Sequence, residues 1–339
     1  MTQQALTERP GFGAPESFEI VAQSAPEILA HVETVVCVPT FRRPDMLERT
    51  LRSLAAQRGA GPFAVIVVEN EGKERAGAER ACALFAEGLF EGLVIVEPRQ
   101  GNCKAYNAAW RCALTRLPAL RQIAGIDDDE EAEPGWLAAF LQAAASAPAE
   151  LFGGSVTPRF EDPTRAWLGA HPIFRSHYSA SGPIPMLYSS ANYLIRREVL
   201  ETLGFPYLDE SFDFTGGGDS DFFRRAMAAG FRFWWVQEAV QRETMPARRT
   251  EADWVRARGY RNGAISARIE RRSRPGTAGR LRVLAKSLAL LAASPLRGLM
   301  LGLDTRSLTI GLYHAQVALG RLGTEFGVAD EQYRVPEKN

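Results

Sequence analysis

Five carboxylates stand in a row at Asp127, Asp128, Asp129, Glu130 and Glu131, directly after the apolar segment Ile123-Ala124-Gly125-Ile126. Adjacent like charges repel, and removing them from water raises the cost further. A positive partner therefore belongs there in the working state. Carboxylates cannot grip a phosphate themselves, but they can hold a divalent cation that does. Mg²⁺ or Mn²⁺ between one or two of these carboxylates and a diphosphate would account for the run. The competing reading is a solvated acidic cap on the helix that begins near Pro134-Gly135-Trp136, because Asp and Glu favour helix N-termini.

The elements that must position this run follow from hydrophobic patterning. Thr34 to Val38, Ala64 to Val68, Leu93 to Val96 and Gln122 to Ile126 read as four short strands, with helical segments between them, including one from Pro44 to Gln57. Strands that are apolar on both faces and alternate with helices predict a parallel sheet covered on both sides. Leu151 to Val156 reads as a fifth strand. Ligands of open α/β sheets bind beyond the carboxyl ends of the strands. The acidic run lies there, as do Pro39-Thr40-Phe41-Arg42-Arg43, Glu69-Asn70 and Pro98-Arg99-Gln100-Gly101. That convergence favours a binding crevice over a plain cap. The first strand is followed by neither GxGxxG nor GxxxxGK, so dinucleotide and P-loop sites are excluded.

Beyond Pro158 the pattern loosens. Tyr188 to Ile195 reads as a strand, Asp219 to Ala229 as a helix, Phe231 to Val236 as a strand, and 251–272 as a basic helix. Residues 278–326 show helical leucine spacing. The 339 residues carry no net charge, yet Arg242 to Arg297 holds fourteen Lys or Arg against four Asp or Glu. Such asymmetry points to contact with an anionic surface. The uncharged stretch Ser307 to Gly320 falls short of the roughly 18 apolar residues of a spanning helix, and Lys286, Pro295 and Arg297 interrupt the earlier one. Amphipathic helices on an anionic leaflet are expected instead, with Arg268, Arg271, Arg272, Arg274, Arg280 and Arg282 near headgroups. The alternative is a helical subdomain packed on the enzyme or on a second copy.

Cys37, Cys82, Cys103 and Cys112 lack CxxC spacing and read as reduced thiols. Residues 1–32 read as a loose leader without a secretory h-region. His171 and His177 read as surface residues, and Trp136, Trp234 and Trp235 as core.

Val38-Pro39-Thr40-Phe41-Arg42-Arg43-Pro44, Val67-Val68-Glu69-Asn70, Ile126 to Glu130, Pro134-Gly135-Trp136-Leu137 and Thr215 to Phe223 together resemble the family 2 glycosyltransferases of GT-A fold. Glu243-Thr244-Met245-Pro246, with Arg249 and Trp254, is similar to bacterial exopolysaccharide members of succinoglycan type. The resemblance spans roughly residues 34 to 270 in motif order. It implies inverting transfer from a nucleotide-diphosphate sugar, with a UDP-sugar the leading donor, and Mn²⁺ or Mg²⁺ as cofactor. Asp127 and Asp129 would hold the metal. Pro39, Thr40, Arg42, Glu69, Asn70, Asp127 and Asp128 would line the nucleotide-sugar pocket, with Asn107 either joining them or serving as a buried helix polar group. Asp219 would be the general base, or else only an N-cap. Asn192, Asp221, Arg249 and Trp254 would face the acceptor. Two positions depart from the family pattern: Gly218 stands where an acid is usual, and Thr244 where many members carry a metal-binding His.

These implications divide the chain into a leader (1–32), a nucleotide-sugar half (33–158), an acceptor and base half (159–272) and an amphipathic helical region (273–339). The expected setting is cytoplasmic, peripheral on the inner membrane, with a lipid-linked or glycan acceptor, possible homo-oligomerisation and no nucleic acid. A sugar nucleotidyltransferase would want a glycine-rich loop after the first strand, which Thr40 to Pro44 lacks. A non-catalytic glycosyltransferase-like binding protein remains an alternative, on account of Gly218 and Thr244.

Overall fold

A computed structural model describes residues 17–326. The first half runs β1 (Glu19–Gln23), α1 (Pro26–Leu29), β2 (Thr34–Thr40), α2 (Pro44–Ala55), β3 (Ala64–Glu69), α3 (Ala76–Ala86), β4 (Gly92–Val96), α4 (Asn102–Arg116), β5 (Gln122–Ile126), β6 (Glu130–Ala132), α5 (Trp136–Ser146) and β7 (Leu151–Phe160). It continues with β8 (Gly182–Ile184), β9 (Asn192–Arg196), α6 (Arg197–Leu203), α7 (Gly218–Ala228) and β10 (Phe233–Met245). Four helices follow: α8 (Ala252–Arg272), α9 (Gly276–Asp304), α10 (Leu308–Gly311) and α11 (Tyr313–Glu325).

The strands form one sheet in the order β1-β4-β3-β2-β5-β9-β7-β10-β6, with β8 on β10. Its centre, β4-β3-β2-β5, is parallel, as the unbroken apolar runs predict. β9 joins β5 antiparallel, placing Asn192 opposite Ile126 and Tyr193 opposite Gly125. Side chains on both faces of the parallel strands are buried, and Leu47, Leu51 and Leu54 of α2 pack on one of those faces with Trp136 and Phe140 of α5. Pro44 occupies the first turn of α2, where its missing N–H costs nothing. Cys37, Cys103 and Cys112 are buried, and all four cysteines are free thiols.

Several expectations are corrected. The leader is not loose throughout: β1 pairs antiparallel with β4 through residues 19–23, while residues 1–16 lie outside the described range. The acidic run does not stay in a loop, because Glu130 and Glu131 enter β6 opposite Glu243 and Arg242. His171 is buried, at 1% exposure. Its Nδ1 accepts the Ile173 N–H at 3.2 Å, and burial alone pushes its pKa down to about 4. Pro295 does not break α9, which continues unbroken for 29 residues and is long and apolar enough, by length and composition, to cross a membrane.

Two compact units emerge. Within the described residues, the first holds 17–157, 178–213 and 218–243, and the second 158–177, 214–217 and 244–326. In the second, α8 and α11 meet at glycines. A Cβ on Gly263 would lie 2.0 Å from the Val317 carbonyl, and one on Gly320 1.9 Å from that of Tyr260. Arg321, 1% exposed, donates to Glu270 (2.8 Å), Ser266 (2.7 Å) and Ser287 (3.2 Å). Much of the expected headgroup-facing arginine set is engaged within this unit. Arg271 and Arg280 pair with Glu325, Arg274 pairs with Glu270, and Arg268 donates to Thr215 at 2.7 Å.

Gly125 tests how tightly the sheet holds the acidic run. A Cβ there would lie 2.1 Å from Cε1 of Tyr193, whose hydroxyl accepts the Trp110 indole N–H at 2.8 Å. A ring pinned at its far end cannot swing away. Gly125→Ala should cost about 1–3 kcal/mol, read as a lower denaturant midpoint with unchanged slope. An unshifted midpoint would show that the ring yields freely.

Candidate active site

The run after β5 is held by three elements. The Thr50 hydroxyl of α2 lies 3.0 Å from the Asp128 carbonyl and 2.6 Å from that of Glu130, fixing the backbone. The Asp128 carboxylate turns inward, where it accepts from the Thr40 hydroxyl (2.8 Å), the Phe41 N–H (3.4 Å) and Arg43 (3.2 Å). Arg43 also donates to Asp129 at 2.9 Å. From α4, the Tyr106 hydroxyl donates to Oδ1 of Asp127 at 2.7 Å. Burial alternates along the run: Asp128 and Glu130 are buried, Asp127 and Asp129 partly exposed. Asp127 and Asp129 thus stand at i and i+2, with Tyr106 holding the first and Arg43 shared between the second and Asp128.

The electrostatics match this division. Burial, then the charge of Asp129, pushes the Asp127 pKa up to about 8. Burial pushes Asp128 up to about 6, with Arg43 acting against it. Glu130 is driven well above its ordinary value by burial and by Asp127 and Glu243. One guanidinium does not offset this density of carboxylates, and a divalent cation would.

Among the described residues no group of three or more His, Cys, Asp or Glu is arranged to hold a metal alone. A pair of hard oxygen donors suits Mg²⁺ or Mn²⁺, ions commonly bound through one or two carboxylates plus substrate phosphates. The residues present therefore fit such an ion bound together with a diphosphate.

Asp219 stands in the first turn of α7. Its Oδ2 accepts the Ser190 N–H at 3.1 Å, and its Oδ1 accepts the Ser220 N–H at 2.7 Å. The Ser190 carbonyl lies 3.5 Å from the Tyr106 hydroxyl. Ser190 therefore contacts Asp219 through its N–H, and through its carbonyl the tyrosine that orients Asp127. The glycines before Asp219 have separate reasons. Gly216 and Gly217 adopt φ of 73° and 100°, which favour glycine. Gly218 is required by space, since a Cβ there would lie 2.5 Å from the Cys103 sulfur. Cys103 fills the volume that an acidic side chain at 218 would enter. Thr244, the other departure, accepts from Arg159 at 3.0 Å.

Several expected ligand residues are spent on the fold. Both oxygens of Glu69 accept backbone N–H groups, from Glu71 (2.9 Å), Gly77 (2.8 Å) and Ala78 (3.2 Å), capping α3. Burial nonetheless pushes its pKa up to about 7. The Asn70 amide ties Glu97, Arg99 and Gly101 together. Asn107 makes two 2.8 Å bonds to the backbone of Leu208, tying α4 to that segment. Asn192 accepts from Trp136 and donates to the Ser155 and Ala239 carbonyls, which removes it from acceptor contact. Trp254 stacks on Phe174 at 6.2 Å with Arg249 over its ring, a packed arrangement and not an open platform. Asp221 pairs with Arg225 at 3.0 Å. Pro39 is buried in β2, and Arg42, with φ of 57°, pairs with Glu71 at 2.5 Å.

Tyr106, Ser190 and Arg43 were not singled out from sequence. Tyr106 reads as one more apolar residue of a buried helix, and Ser190 lies in a loop with no motif of its own.

Comparison with known proteins places these features in context. Residues 35–204 match the model of "Glycosyl transferase family 2". The succinoglycan biosynthesis protein ExoM of Rhizobium meliloti (strain 1021) is 30% identical over 252 residues, 72% of this chain and 76% of ExoM. Among solved structures, the mannosyltransferase PcManGT from Pyrobaculum calidifontis, in complex with GDP-Man and Mn²⁺, superposes with a TM-score of 0.52 at 18% identity. That match covers 94% of this chain and 92% of the mannosyltransferase, and it carries the fold alone.

Tyr106→Phe isolates the hydroxyl that orients Asp127. Loss of a partner behind a metal ligand typically costs about 10–100-fold in affinity or activity. Mn²⁺ binding followed by electron paramagnetic resonance, with a nucleoside diphosphate present, should weaken by about that factor. The melting temperature should move little. Parental Mn²⁺ affinity would show that Asp127 needs no such support.

Proposed function

We propose, from the premise that this chain belongs to glycosyl transferase family 2 and is a glycosyltransferase of GT-A fold, that it transfers a sugar with inversion from a nucleotide-diphosphate donor to a lipid-linked glycan. A UDP-sugar is the donor we favour. The ExoM likeness supports bacterial exopolysaccharide assembly as the setting, with the enzyme peripheral on the cytoplasmic face of the membrane. The observation that carries the reading is the convergence on Ser190, whose two peptide groups contact Asp219 and the tyrosine that orients Asp127. Such an arrangement fits a diphosphate-binding edge and a proton acceptor belonging to one reaction centre.

In this mechanism Asp127 and Asp129 would hold Mn²⁺ or Mg²⁺. When bound, the ion offsets the charge that gathers on the departing nucleoside diphosphate. Thr40 and Arg43 hold Asp128, Arg43 also holds Asp129, and Tyr106 holds Asp127, which keeps the pair at its i, i+2 spacing. Asp219 accepts the proton of the acceptor hydroxyl as that oxygen bonds to the anomeric carbon and the bond from that carbon to the diphosphate oxygen breaks. A single displacement inverts the anomeric centre. The Ser190 N–H keeps the Asp219 carboxylate aimed while it waits for the acceptor. Arg42, beside Glu71, remains a donor-side contact in this reading, and Asp221 sets the start of α7 through Arg225.

Asp219→Asn keeps the shape and one of the two acceptor oxygens, so either the Ser190 or the Ser220 N–H loses its partner, and it cannot take the proton. General-base removal costs ~10²–10⁴-fold in rate, whereas loss of a cap costs about 1 kcal/mol of stability. The variant should melt below the parent by the cost of one lost hydrogen bond, about 1 kcal/mol, bind UDP with Mn²⁺ unchanged and lose nearly all transfer. The assay is a screen of nucleotide sugars over membrane extracts, with products read by mass spectrometry. Asp221→Asn should retain substantially more activity. Near-parental turnover by Asp219→Asn would remove the base assignment, and no product from any donor would remove the reading itself.

A further inference from the structure

Helix α9 is built inside out. Its buried positions are Val283, Ser287, Ser294 and Gly302, small or polar apart from the valine. At Gly298 the helix comes so close to the α10 turn that a Cβ would lie 2.5 Å from the Gly311 carbonyl. Leu284, Leu290, Leu291 and Leu301 are half-buried, and the other leucines of the helix are exposed. Leu281, Leu288, Leu296, Leu299 and Leu303 are between 51% and 71% exposed. With Ala292 between Leu288 and Leu296, their steps of three, four or seven residues put them on one face. At 1.5 Å per residue that stripe is about 33 Å long. Leu308 and Leu312, 80% and 57% exposed, lie in and just after α10. Monomeric soluble proteins rarely present a contiguous apolar surface of this kind.

The charges around the stripe select its partner. α9 contains four Lys or Arg and a single acid, Asp304. Arg282 and Arg297 are exposed on the helix itself, and Arg272 and Arg306 are exposed beyond its two ends. Two copies apposed through this face would meet arginine to arginine, with one acid each to answer them. An anionic lipid surface answers both features, hydrocarbon for the leucines and headgroups for the arginines. The helix meets the length and composition for crossing a bilayer, but its other face is committed. Lys286 pairs with Glu270 of α8 at 2.9 Å, and the Ser287 hydroxyl lies 3.2 Å from the Arg321 guanidinium of α11.

We propose that α9 lies along an anionic bilayer with its leucine stripe sunk into the acyl layer, so that the second unit is an interfacial anchor and not a spanning one. The arginines of α8 and of the α9 start that pair with Glu270 and Glu325 hold the helices together. Arg282 and Arg297 face lipid phosphate.

Flotation of the full chain tests this with two vesicle types, phosphatidylcholine alone and phosphatidylcholine mixed with phosphatidylglycerol. The parent should float with the mixed vesicles, and added salt should weaken the binding. The triple variant Leu288→Ser, Leu296→Ser, Leu299→Ser alters exposed positions, so it should fold with unchanged circular dichroism and lose at least about tenfold in vesicle affinity. Arg282→Gln with Arg297→Gln should lose roughly 25-fold on the mixed vesicles and be unchanged on phosphatidylcholine. A parent that ignores both vesicles overturns the proposal. So does a serine variant that floats like the parent, or one that turns a dimer into a monomer in sedimentation while flotation is unaltered.

Discussion

Carboxylates crowded at the end of one strand repel each other, and the site exists only because neighbouring elements hold them there. Thr40, Phe41 N–H and Arg43 neutralise the pull of Asp128 away from the sheet, Tyr106 grips Asp127, and Thr50 fixes the backbone between them. The residual charge is still high enough that burial and mutual repulsion raise Asp127 to about 8. That unrelieved repulsion is what a divalent cation would discharge, and it couples the crevice to a ligand carrying phosphate. The parallel strands serve this arrangement by bringing the ends of β2, β3, β4 and β5 to one edge.

Packing around the crevice is tight where the chemistry needs fixed geometry. Gly125, Gly218 and Gly77 each stand where a Cβ would strike a functional or supporting side chain: Tyr193, Cys103 and Glu69 with Thr40. Glu69, Asn70 and Asn107 use their polar atoms on backbone groups, and Asn192 on two backbone carbonyls and the Trp136 indole, and thereby they set the segments that carry other residues. Buried polar groups of this kind are costly unless fully bonded, which explains why amides with ligand-like sequence positions work as struts.

Much of the first unit was legible because its signals are local. Continuous apolar runs announce buried parallel strands, and the acidic run announces itself by its cost. Asp127, Asp129 and Asp219 are named through the family resemblance, which orders these residues along the chain. The roles of Tyr106 and Ser190 could not be read in this way, since they arise from contacts between segments 21, 29 and 84 positions apart in sequence. Nor does the sequence say whether an asparagine faces a ligand or a carbonyl. Read from sequence, Asn192 falls on the acceptor side for that reason, and Asn107 between a nucleotide contact and a buried helix group. The second unit was harder. Leucine spacing predicts a helix but not which face is covered, and α9 reverses the usual order by burying serine and glycine and exposing leucine. Pro295 read as a break and is accommodated within the helix.

The central claim is that Asp127 and Asp129 form a metal-dependent diphosphate site. Calorimetric titration of UDP into the full chain, with Mn²⁺ and then with excess chelator, tests it most directly. The account predicts binding that requires Mn²⁺ and that Asp129→Asn abolishes without lowering the melting temperature. Equal affinity for UDP in chelator would contradict it.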